Sequence, residues 1–209
     1  MTNEYGFELD KTILATSVCS DEVMQSATNF REYVSLPKPF QLGGLAGFPF
    51  TGIAGFNAFA GHIPDDGYAI IVYGPHIGIS DSNQLGTVLR KGQSLGTSCC
   101  GALTGVLNQF MTEGSSMPDQ ELDYQQWTLT HQLSEVRQCV NSMDEPLIET
   151  TDLMFKQIDQ RIKKLLEKTK DQFKGKKVAI VGGIIINTDT GLPDWFEERE
   201  FSLHSLQHI

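Results

Sequence analysis

Residues 177–187, KVAIVGGIIIN, contain the longest apolar run in the chain. No polar–apolar alternation breaks it, so it reads as a strand covered on both faces, at the centre of a mainly parallel sheet. Parallel strands need crossovers, and the preceding segment supplies one. Across 154–173, Phe155, Ile158, Ile162, Leu165 and Leu166 recur at helical spacing with charges on the other face, and Gly175 ends the helix. Two further short apolar, β-branched runs, 12–18 and 68–73, read as buried strands. After the first, Ser20 or Asp21 caps a helix expected to run to about Val34, before Pro37. The stretch 40–55 is a glycine-dense loop and 56–62 a helical turn. Pro64-Asp65-Asp66-Gly67 is a turn. A polar loop after His76 leads to a helix with Cys99 and Cys100 near its start. The tail beyond residue 187 is polar. This order predicts one α/β domain over 1–209, a mainly parallel β-sheet flanked by helices.

Composition removes several function classes. Acidic side chains outnumber basic ones 26 to 16, giving a formal charge of −10. Nucleic acid is therefore not the expected partner, since phosphate binding depends on Lys and Arg. No run is long enough for a membrane span. The N-terminal MTNEYGFELDK has no basic region followed by an apolar core, so it does not read as a secretory signal. The glycine-rich loop lacks both Gly-Lys-Ser/Thr and GxGxxG, which argues against a P-loop and a dinucleotide site. With four cysteines, two of them adjacent, reduced thiols or metal thiolates fit better than a disulfide framework.

Cys19 follows the first strand, His76 follows the second, and Cys100 opens a helix. In open α/β sheets the strand C-terminal ends share one edge, where sites form. A Cys2His set leaves a fourth tetrahedral position open, the arrangement of catalytic zinc, which brings the pKa of bound water to about 7. Spacing alone leaves a second reading open, in which Cys19 and Cys100 are buried core thiols. A thiol-redox pair at Cys99-Cys100 is a third.

Longer motifs carry a resemblance. Cys19-Ser20-Asp21 resembles the Cys-x-Asp of the β-carbonic anhydrase site, and Gly74-Pro75-His76 with Cys100-Gly101 resembles its Gly-His and Cys-Gly. The stretches LGGLAGFPFTGIAGFNAFAGHIPDDG, YGPHIGIS, Arg90-Lys91-Gly92-Gln93, CCGA and VGGIIINTDTGLPDWFEEREFSL are similar to those of the LCIB (limiting-CO2-inducible B) family, which is β-carbonic-anhydrase-like and related to the theta class.

The resemblance implies a β-carbonic-anhydrase-like fold, zinc on Cys19, His76 and Cys100, and hydration of CO2 to bicarbonate by a zinc-activated water. It makes Asp21 the dyad aspartate. The β-carbonic anhydrase pattern places the partner arginine two residues later, where this chain has Val23. Arg90, in the loop before Cys100, is the substitute, with Arg31 second and a plain surface charge the competing reading of Arg90. Gly101 favours Cys100 over Cys99 as ligand. The second ring nitrogen of His76 is expected on a backbone carbonyl or a carboxylate. Gln41, Phe48 and Phe50 would line an apolar pocket for CO2. His62 reads as structural, and His131, His204 and His208 as surface residues. The resemblance further implies a homodimer and a soluble protein of the cytoplasm or plastid stroma. The alternative is a zinc-containing, non-catalytic member acting through protein partners in inorganic carbon uptake or retention.

Overall fold

The computed structural model describes residues 5–24, 36, 38–173 and 177–205. Eight strands and five α-helices lie within them: β1 (Thr12–Ser17), β2 (Phe40–Gln41), α1 (Gly52–Gly61), β3 (Tyr68–Tyr73), β4 (His76–Gly78), β5 (Thr87–Val88), β6 (Thr97–Ser98), α2 (Gly101–Met111), α3 (Tyr124–Gln132), α4 (Val136–Cys139), α5 (Pro146–Thr169), β7 (Lys177–Asn187) and β8 (Trp195–Ser205).

The main sheet runs β2-β1-β3-β7, with β4 and β8 also on β7. Every pairing is parallel except β7–β8. β3 and β4 lie end to end on one side of β7, the first on its N-terminal half and the second at Ile185–Asn187. The break between them is Gly74-Pro75. A Cβ on Gly74 would stand 1.7 Å from the Gly183 carbonyl oxygen, so only glycine lets the two backbones approach there. β5 and β6 form a separate antiparallel pair.

Helix α5 lays Met154, Ile158, Ile162, Leu165 and Leu166 into the main core with Ile71, Val178 and Ile180 of the sheet. Each of these large side chains contributes about 1.5–3 kcal/mol when fully withdrawn from water. The opposite face carries a smaller cluster of Phe7, Leu14, Leu36, Tyr68, Ile70 and Ala179. β3 and β7 have the predicted bounds. α5 starts eight residues before the predicted 154, with Pro146 in its first turn, where a missing N–H costs nothing. Gly175 lies outside the described residues.

Four expectations need correction, the first being the polar loop after His76, which holds β4, β5 and β6 before the helix. The glycine-dense stretch is not all loop: it holds β2, a 3-10 turn at Leu45–Gly47 and the start of α1. The predicted turn at 56–62 is the second half of that helix. The polar tail contains β8, an eleven-residue edge strand. Its Glu-Glu-Arg-Glu centre hides any period of two, because its side chains are largely exposed and only its backbone is committed to β7. Of the helix expected from Ser20 or Asp21, the described part is its first turn, where the Met24 N–H donates to the Asp21 carbonyl and the Val23 N–H to Asp21 Oδ1. The rest lies outside the described residues, as do Arg31 and His208. Among the described residues, no helix is long and apolar enough to cross a membrane.

Candidate metal centre

The C-terminal ends of β1, β3 and β7 point to one edge of the sheet, and the glycine-rich stretch wedges between them. Ser17 Oγ donates to the Gly47 carbonyl at 2.8 Å, and Gly74 N–H donates to the Ser17 carbonyl at 3.1 Å. Gly47 has φ +81°, and a Cβ there would lie 2.3 Å from the Gly74 carbonyl oxygen. Glycine is required on both counts. The segments after β1 and β3, which lead to Cys19 and to His76 at the start of β4, are thereby held together.

The cluster forms at this edge. Ligand atoms of Cys19, His76 and Cys100 all lie within 4.8 Å of one another, and all three residues are buried. Cys19 Sγ and Cys100 Sγ are 3.9 Å apart. Cys100 occupies the N-cap position of α2, where the helix dipole favours a thiolate. Cys99 turns the other way, with its sulfur 3.4 Å from His76 Nδ1 and 3.6 Å from Asn187 Oδ1.

His76 is fully buried. Its Nδ1 lies 2.7 Å from Asn187 Oδ1, an oxygen that only accepts, so Nδ1 carries a proton and Nε2 is the nitrogen left for a metal. Nε2 is buried and has no hydrogen-bond partner. The expected partner of the ring was a backbone carbonyl or carboxylate; the structure supplies an amide side chain from the end of β7 instead.

The thiols cannot both ionise at this distance. The hydrogen bond from Cys100 draws the Cys19 thiol down to about 4, against the opposing effect of burial. Cys19 and burial push Cys100 well up. Burial disfavours imidazolium at His76, but the Cys100, Cys19 and Cys99 sulfurs outweigh it and raise the pKa. A borderline-soft dication on two sulfurs and one imidazole nitrogen would resolve this competition and complete the orphaned Nε2, so the residues fit a metal of the zinc type.

Asp21 and Arg90 meet as expected, with Arg90 Nη2 donating to Asp21 Oδ2 at 2.8 Å. The guanidinium is otherwise fully used. Nε donates to Glu22 Oε1 at 2.8 Å, Nη1 to the Thr97 carbonyl and Oγ1, and Nη2 also to the Ser98 carbonyl at 3.2 Å. All five N–H groups of an arginine are spoken for. Arg90 therefore staples the loop after Cys19 to the strand that leads into Cys99 and Cys100, which removes the reading of it as a loose surface charge. Burial works to raise the Asp21 pKa, but hydrogen bonds with Glu22 and the Val23 N–H, and the charge of Arg90, bring it below the ordinary value.

The remaining candidates are more dispersed. Phe48 is buried in the same core cluster as Cys19 and Cys100, and Phe50 packs against it edge-on at 5.1 Å. Gln41 is exposed on β2, and its Oε1 accepts from Thr16 Oγ1 at 3.3 Å. His62 is exposed beside Phe40 and His131 is exposed against Trp127. His204, expected on the surface, is half-buried in β8 with Ser202 Oγ 3.2 Å from its Nε2. Asn187, which holds His76 Nδ1, was missed by the sequence reading, as was Asp189, whose carboxylate accepts the Asp81 and Leu89 N–H groups. The available signal was their place, an Asn-Thr-Asp sequence where a central strand meets the site edge.

The model of the limiting CO2-inducible protein B/C β-carbonic anhydrases matches residues 1–205. Among solved structures, PtLCIB4, a homolog of the limiting CO2-inducible protein LCIB, is 33% identical, with 98% of this chain and 86% of that chain covered and a TM-score of 0.88. A histidine-to-alanine variant of PtLCIB4 is 32% identical over 98% of this chain and 84% of that one, again with a TM-score of 0.88. LCIB itself is 23% identical over 97% of this chain and 87% of that one, and its TM-score of 0.66 shows a shared fold. No curated protein matches the chain.

Proposed function

Because the chain belongs to the limiting CO2-inducible protein B/C family of β-carbonic anhydrases, we propose that it is a zinc enzyme interconverting CO2 and bicarbonate. In this reading Cys19, His76 and Cys100 hold the metal and Asp21 with Arg90 serves the reaction. The observation that carries it is the buried, unpartnered His76 Nε2 beside two thiols at an edge that also presents the Asp21–Arg90 pair. When bound, zinc supplies a Lewis acid that brings the pKa of water to about 7.

The chain's own groups do the rest. Asn187 holds the Nδ1–H, so Nε2 is the nitrogen that gives up its proton when the metal binds. Asp21 stays ionised near neutral pH. Arg90 holds Oδ2 and the Val23 N–H holds Oδ1, which keeps the carboxylate in one orientation with a lone pair to spare on each oxygen. It then accepts a hydrogen bond from the attacking water and orients its nucleophilic oxygen. Phe48 and Phe50 offer an apolar wall to a substrate without charge, and Gln41 a polar contact at its rim. Hydration joins the water oxygen to the CO2 carbon, and the proton released leaves to solvent or buffer. We expect the chain to act as a homodimer.

One observation favours a second reading. Asp21 also stands within 4.8 Å of ligand atoms of His76 and Cys99. A carboxylate that swung from Arg90 to the metal would close the fourth position and leave a zinc protein that acts through partners in inorganic carbon uptake or retention.

Zinc content and stopped-flow CO2 hydration of the full chain, beside Cys100→Ser and Cys99→Ser, test the proposal. About one zinc per chain, hydration above buffer, loss of both in Cys100→Ser and retained zinc in Cys99→Ser are expected. One zinc without hydration would favour the second reading, and no zinc would reject the site.

A further inference from the structure

Asp189 does not touch the cysteines, yet it is 7% exposed at the site edge. Its Oδ1 accepts the Leu89 N–H at 2.6 Å and its Oδ2 accepts the Asp81 N–H at 3.0 Å. The next residue reinforces the tie, because the Thr190 N–H donates to the Leu89 carbonyl at 2.9 Å. Leu89 is thus held through both of its backbone polar groups, and the residue after it is Arg90. The lobe from 79 to 90 leaves the sheet beside β7, with the Ile79 N–H on the Asn187 carbonyl at 2.9 Å, and Asp189 fastens its return. A near-buried carboxylate is costly unless hydrogen-bonded. Here it meets two main-chain donors eight positions apart, one per oxygen. A neutral amide would put its oxygen at one of these two positions and an NH2 donor, facing a main-chain N–H, at the other.

We propose that Asp189 is a positioning residue that fixes the backbone before Arg90 and so sets the guanidinium against Asp21. This rests on the reading of Asp21 and Arg90 as the working pair in CO2 hydration. One short segment at the end of β7 then aligns both halves of the site: Asn187 orients the metal ligand His76, and Asp189 orients the arginine.

The test compares zinc-loaded wild type, Asp189→Asn, Arg90→Ala and the double variant. Three readouts are followed: CO2 hydration, hydrogen exchange of residues 79–98, and the Arg90 Nε–H resonance, assigned by its loss in Arg90→Ala. Asp189→Asn is expected to keep its zinc, to exchange faster in this segment and to shift the Arg90 resonance. It should lower kcat about tenfold or more with KM changed by less than about twofold. In the Arg90→Ala background the same substitution should cost less than about twofold, because its route of action is gone. A full loss that persists in that background, or unchanged exchange and resonance, would overturn the proposal. Should Asp189→Asn fail to fold, Asp189→Ser, which keeps one acceptor, is judged by the same criteria. Should the wild type hydrate no CO2, the dyad reading falls, and the positioning claim is decided by exchange and the Arg90 resonance alone.

Discussion

Asn187 shows how much of the candidate site depends on a residue outside the Cys19, His76 and Cys100 cluster. Its Oδ1 sits 2.7 Å from His76 Nδ1 inside a fully buried pocket. Asn187→Ala would strand that N–H and free the ring to turn, and outer partners of this kind are worth about 10–100-fold in metal affinity. Chelator competition should show zinc held that much more weakly, and equal affinity would remove Asn187 from the account. The three metal-ligand candidates stood out in the sequence as residues at strand ends and a helix start, but that placement left buried core thiols open, and only the family resemblance made them a ligand set. The Asp21–Arg90 pairing was legible through the family resemblance. Asn187 and Asp189 were not, because their roles depend on register. His76 reaches Asn187, 111 positions away, only when β4 pairs with the last residues of β7.

The elements are tied together by polar contacts as well as by the core. Tyr73, the last residue of β3, is fully buried and donates to Asp159 of α5 at 2.6 Å, and Lys163 joins Asp159 to Glu200 of β8. Burial, reinforced by Asp159, pushes the Tyr73 phenol far above its ordinary value. A group raised in the folded state contributes in full below its unfolded pKa of about 10. Above that pH the unfolded chain releases a proton that the folded one keeps, so stability falls by up to about 1.4 kcal/mol per pH unit. Urea midpoints followed above pH 10 should therefore decline less steeply in Tyr73→Phe than in wild type; parallel declines would contradict the assignment. β3, β7 and α5 were visible from their apolar patterns, since packing on both sides or along one stripe leaves a period in the sequence. β8 left none, because its hydrogen bonds come from the backbone and Trp195 and Phe196 remain exposed.

At the scale of the whole molecule, the candidate metal centre joins segments that are far apart in sequence. Cys19 lies in the loop after β1, His76 opens β4 and Cys100 caps α2, and Arg90 bridges the first and last of these segments. A metal that binds this assembled edge and not the unfolded chain stabilises the fold by about 4 kcal/mol at a thousandfold excess over its Kd. Removal of zinc by dialysis against a chelator should lower Tm by roughly 10 °C in calorimetry. Superimposable melts of loaded and stripped protein would separate the metal from folding. The central claim concerns chemistry, and the most direct measurement is the loss of 18O label from CO2 and bicarbonate at chemical equilibrium. With one zinc per chain, the account predicts label exchange well above the uncatalysed rate, abolished in Cys100→Ser and strongly reduced in Arg90→Ala. Zinc-loaded wild-type protein that exchanged label no faster than buffer would contradict it.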